Sequence, residues 1–126
     1  CVFNQKIFTG LIDFDLCAPG SRLWDMSYTA YRFIPIMPFE ALKEDEEKSP
    51  FGIDELNNRI RFFLKEYANK KPHYEFTRKE LLLMTIKRLT ACSEWTKNFA
   101  KEMKNDILLK HSTMYKRHSI WIHGII

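Results

Sequence analysis

Asp13 and Asp15 stand one residue apart at the end of the apolar run Gly10-Leu-Ile-Asp-Phe-Asp15. Leu11, Ile12 and Phe14 have no helical period, which predicts a buried strand that ends in a loop. Side chains on a strand alternate between faces, so the two carboxylates share one side, with Cα atoms roughly 7 Å apart. Two carboxylates at the mouth of a strand can hold a hard cation such as Mg²⁺, the ion that bridges and neutralises nucleotide phosphates in phosphoryl transfer. Pro19 and Gly20 punctuate the chain beyond them, and Ser21 is placed to cap the helix that follows. A bare Asp-x-Asp also reads as the solvated end of a strand.

A second acidic group, Glu40, Glu44, Asp45, Glu46 and Glu47, lies in the run Glu40-Ala-Leu-Lys-Glu-Asp-Glu-Glu47. Such a run can attract a polycation, and it has equally the composition of a solvated, mobile loop. His111 and His118 share a helical face at seven-residue spacing, whereas His123 does not, and no Cys or carboxylate completes a metal set. The histidines therefore read as surface or interface residues. Cys1, Cys17 and Cys92 have no metal-ligand spacing and leave an odd thiol in any pairing, which predicts reduced cysteines in a cytoplasmic protein.

The elements that must position these groups are mostly helices. Before Asp13, Val2-Phe3 and Ile7-Phe8 flank Asn4-Gln5-Lys6, a pattern that predicts a short β-hairpin. Leu23, Met26, Ala30 and Phe33 recur at helical spacing, so residues 22–34 should form an amphipathic helix stopped by Pro35 and Pro38. Trp24, Tyr28 and Tyr31 add a second stripe and predict burial on two sides. Residues 36–52, with Pro38, Pro50 and Gly52, read as a linker or long loop. Leu56, Ile60, Phe63, Leu64 and Tyr67 mark a helix that begins near Asp54 and frays by Asn69 and Pro72. Thr77-Arg-Lys-Glu80 fits a capping box that opens a helix with Leu82, Ile86, Leu89 and Cys92 as its buried stripe. No Pro or Gly interrupts residues 73–123, and Asn105-Asp106 is the natural point for one helix to end and another to be capped.

The chain has 126 residues, 45% of them apolar and 14% aromatic, enough for one small domain with its own core. No window approaches 18 consecutive apolar residues, and no basic stretch leads into an apolar one at the start, so membrane insertion and export are not expected. Net charge is +4 and uneven: residues 1–64 carry 7 basic and 10 acidic side chains, residues 65–126 carry 13 and 6. The lysines follow helical patterns without aromatic interleaving or a nucleic-acid motif, so the excess does not point to nucleic acid.

Gly10-Leu-Ile-Asp-Phe-Asp15 followed by Ala18-Pro-Gly-Ser-Arg-Leu-Trp-Asp25-Met-Ser-Tyr-Thr-Ala-Tyr-Arg-Phe-Ile-Pro35 resembles the aminoglycoside phosphotransferase family, whose fold is protein-kinase-like. The likeness is close from Cys1 to about Ile36 and loose beyond. It implies that Asp13 is the metal-binding aspartate, with Asp15 the second acid often found beside it. It also implies that Asp25 is a buried aspartate bracing the catalytic loop from behind. The acids at Glu40, Glu44, Asp45, Glu46 and Glu47 would then be candidates for binding a cationic acceptor. Family members carry a nucleotide-binding lobe with a lysine, then a His-x-Asp loop followed by Asn, ahead of the metal strand. No His in this chain has an Asp two residues on.

The resemblance therefore implies a mainly α C-terminal-lobe fragment, residues 1–126, of a kinase-like fold with a short N-terminal β-hairpin. Residues 1–20 would form the hairpin and metal-site loop, and residues 21–126 the helical part. The complete protein would use Mg²⁺ with ATP or GTP to phosphorylate a hydroxyl of a small molecule; acceptors in the family include aminoglycosides, macrolides, choline and homoserine. The chain alone is expected to be inactive and to bind Mg²⁺ weakly, since phosphoryl transfer rests on positioning groups it lacks. Its uncovered hairpin edge is expected to pair with another copy. The alternative is a helical binding module that keeps the scaffold and has lost the chemistry.

Overall fold

The structure is a computed structural model, and it describes residues 2–4, 7–10, 22–40, 47–70 and 75–126, the first two stretches as backbone only. Strand β1 (Val2–Asn4) pairs antiparallel with β2 (Ile7–Gly10), Phe3 opposite Phe8, with an irregularity between Val2 and Phe3. Among the described residues four helices follow: α1 (Arg22–Phe33), α2 (Ile53–Lys70), α3 (Arg78–Met103) and α4 (Asp106–Ile125). The described part is thus mainly helical.

Helix α3 and helix α4 form a long antiparallel hairpin, and each end of it follows from local chemistry. At the start of α3, Glu80 N–H donates to Thr77 Oγ1 at 3.1 Å and Thr77 N–H donates to Glu80 Oε2 at 2.8 Å, the reciprocal capping box expected from the sequence. At the turn, Lys104 adopts the left-handed conformation (φ 50°) and its N–H returns to Ala100 O. Asn105 then caps α4, its Oδ1 accepting from Ile107 N–H at 3.0 Å and Leu108 N–H at 3.3 Å. Along the hairpin, Ser93 Oγ donates to Ser112 O and Ser112 Oγ to Ser93 O, at 2.8 and 2.6 Å. These small side chains let the helices approach while satisfying their own hydroxyls in a buried place.

Helix α1 lies across this hairpin, and the core forms where they meet. Met26, Ala30, Tyr31, Leu81, Leu82, Leu89 and Ile122 are buried together, joined by Leu56 and Ile60 of α2. Two expectations need correction. Phe33 is 73% exposed and not part of the buried stripe; Ile34, one residue past α1, is buried instead. Of the linker or long loop expected over residues 36–52, the linker is not seen, since the segment is anchored to the core at both ends: Ile36, Met37 and Ser49 are buried, and Ser49 N–H donates to Pro38 O at 2.7 Å. Pro35 stops the helix, but the apolar residues around it belong to the core. None of the described helices is long and apolar enough to cross a membrane.

Candidate functional site

The sequence assigned its chemistry to the residues just before α1, so the seating of α1 decides what they could do. Met26, Ser27, Ala30 and Tyr31 form its buried face. Ser27 Oγ donates to Trp24 O at 2.7 Å, which lets a polar residue sit fully buried against the hairpin. Trp24 and Tyr28 lie under the Arg88 guanidinium of α3, 4.8 and 5.2 Å from the ring centroids, a cation–π seat for the first turns of α1.

The other end of α1 is held by a hydrogen bond between Tyr31 Oη and His118 Nδ1 of α4, 2.8 Å long and fully buried. Tyr115 stands beside it, its ring centroid 6.3 Å from that of Tyr31. Burial and neighbouring Tyr115 push the Tyr31 hydroxyl well above its ordinary range, and burial does the same to Tyr115. His118 moves the other way: burial lowers its pKa to about 4, Glu47 opposing and Arg117 adding to the effect. At neutral pH the pair is uncharged, and His118 Nε2 has no hydrogen-bond partner among the described residues. The expectation that the histidines are surface or interface residues is thus wrong for His118, while His111 and His123 are exposed. The signal was present: His118 lies four residues from Met114 and from Ile122, both buried. No local pattern, however, pairs it with a tyrosine 87 residues away.

Asp13 and Asp15 lie outside the described residues, as do Glu44, Asp45 and Glu46. Asp25 is in the first turn of α1 and exposed, on the face opposite Met26, Ala30 and Tyr31. The buried environment that the resemblance implies for Asp25 is therefore not formed by α3 or α4. Glu40 is exposed. Glu47 accepts from Arg32 Nη1 at 2.7 Å, so this acid is drawn onto the last turn of α1 and neutralised in part. No group of three metal-ligating side chains occurs among the described residues. Cys92 is half-buried and its thiol pKa is raised by burial, against the pull of Arg88, which makes it a poor nucleophile.

A depression of about 740 Å³ opens between α1 and α2, with Ile34, Phe62, Phe63 and Tyr67 as apolar lining and Arg22 and Lys70 among its charged residues. Its size suits a small ligand, yet neither Glu40 nor Glu47 lines it. What the described residues provide is a rigid seat for α1 from buried, neutral polar contacts. Comparison with protein-family models, curated proteins and solved structures finds no match to this chain.

Proposed function

We propose that this chain is the C-terminal part of a small-molecule phosphotransferase of the aminoglycoside phosphotransferase type, with a kinase-like lobe and an N-terminal hairpin leading to the metal strand. The observation that carries the reading is the residue string Gly10 to Pro35, in which an Asp-x-Asp, a Pro-Gly pair and an aromatic-rich segment follow in one order. The start of α1 at Arg22, just after the Pro-Gly pair, is consistent with it. In this reading Asp13, assisted by Asp15, would hold Mg²⁺ against the phosphates of ATP or GTP. The bound ion would supply charge neutralisation at the transferred phosphoryl group. The acceptor hydroxyl belongs to a small molecule, an aminoglycoside being the polycationic candidate for the acids from Glu40 to Glu47.

The test begins with the coding sequence upstream of Cys1. An open frame carrying a lysine lobe and a His-x-Asp loop followed by Asn is expected, and the protein expressed from it should transfer phosphate from ATP or GTP to an alcohol acceptor. Asp13→Asn in that protein should remove turnover, by more than about 100-fold, with the circular dichroism spectrum retained. A start codon or a stop just before Cys1, or near-normal turnover in Asp13→Asn, would overturn the reading in favour of a binding module.

A further inference from the structure

Arg32 and Arg59 each take a carboxylate, Glu47 at 2.7 Å and Glu55 at 2.8 Å, and Arg88 lies over the rings of Trp24 and Tyr28. Arg61 and Arg78 are placed differently. The half-buried Arg78 guanidinium bridges three helices: its Nε donates to Asn57 Oδ1 of α2 at 2.9 Å and its Nη2 to Ile125 O of α4 at 2.6 Å. Both acceptors are neutral, and a carbonyl in the last turn of a helix carries only a partial negative charge. The two bonds therefore fix the guanidinium without cancelling its charge, and they leave the N–H groups of Nη1 over. Arg61, one turn after Asn57 on α2, is exposed, and its hydrogen bond from Nη1 to Asn58 Oδ1 is 3.5 Å long, at the weak limit. Both arginines line a cavity of about 360 Å³ together with Asn57, Leu64 and Phe76. Among the described residues no carboxylate lines it, and the nearby Glu80 is engaged in the capping box with Thr77 N–H at 2.8 Å.

We propose that this cavity binds a small organic oxyanion, a carboxylate or phosphate group on an apolar body, with Arg78 as the fixed fork and Arg61 as the side chain that closes on it. A guanidinium matches two oxygens of such a group at once, and charge-assisted bonds of this kind are roughly twice as strong as neutral ones. Because Arg78 is already held by Asn57 and Ile125, less ordering remains to be done on binding. Leu64 and Phe76 suit an apolar body and not a bare ion. The volume lies near the lower limit for ligand pockets, which restricts that body to about one ring. Lys65, exposed one turn beyond Arg61, adds positive charge to the approach. None of these residues belongs to the string Gly10 to Pro35, so the site does not depend on the phosphotransferase reading.

The test is titration of the chain with phenyl phosphate and, separately, benzoate at constant ionic strength, followed by heteronuclear NMR of the arginine Nε–H groups and the aromatic rings. Saturable shifts are expected at Arg78 Nε–H and at the Phe76 ring, with half-saturation near about 1 mM. The tighter of the two probes identifies the head group as phosphate or carboxylate. Arg61→Gln should weaken binding by about tenfold or more. Arg61 is exposed, so this variant keeps the fold even where Arg78→Gln, which also cuts the ties to α2 and α4, does not. Lys97→Gln removes an exposed charge about 28 Å further along α3 and should bind like the parent. No saturable shift at Arg78 up to about 10 mM of either probe overturns the proposal. So does equal binding by Arg61→Gln, or a neutral phenol that moves the Phe76 ring at the same concentrations, which would make the cavity merely apolar.

Discussion

The two ends of the α3–α4 hairpin carry the same kind of side-chain stripe and meet opposite fates. At the base, Leu81, Leu82 and Leu89 of α3 and His118 and Ile122 of α4 are closed over by α1 and the segment after it. Toward the turn, Trp95, Phe99, Met103 and Ile107 follow the same spacing and remain in solvent. The difference is coverage. A stripe becomes core only where a second element lies on it, and α1 crosses the hairpin at the level of Arg88 and His118, away from the tip. The base also holds the buried Tyr31–His118 hydrogen bond, which fixes the seating of α1 on α4.

The sharpest way to break this contrast is truncation at each end. Tyr31→Ala removes the largest fully buried side chain and strands His118, and it should destabilise the chain by about 3–5 kcal/mol in chemical denaturation. Trp95→Ala at the tip should cost under about 1 kcal/mol under monomeric conditions. Similar losses at the two sites would mean that the tip is covered in solution.

Acid should act on the base through His118. The folded-state pKa of His118 is lowered to about 4 from an ordinary 6.5, so between those values the unfolded chain binds a proton that the folded chain refuses. This stability is therefore complete above about pH 7 and is lost as pH falls from about 6.5 toward 4. At its limit the loss is about 3 kcal/mol. His118→Leu should flatten the profile in that window; an unchanged slope would show that another group controls it.

The smallest effect belongs to the turn. Lys104 holds a positive φ that costs an L-residue energy, and Lys104→Gly should raise stability by under about 1 kcal/mol, read as a higher Tm. A decrease would mean that the αL turn is held by the lysine side chain and not merely tolerated.

The helices and their ends were legible in the sequence because capping and apolar spacing act over three or four residues. Thr77 with Glu80, Asn105 at the break, and Pro35 after α1 each state a boundary locally. The Asp13–Asp15 motif lies outside the described residues, so its chemistry is an expectation from the sequence alone. What only the tertiary structure decided is which stripes are buried and which charges are taken up. Phe33 faces water while Ile34 is buried, Glu47 is drawn to Arg32, and His118 becomes a sealed, neutral partner of Tyr31. These outcomes depend on contacts between residues far apart in the chain, where desolvation and partner geometry outweigh local pattern.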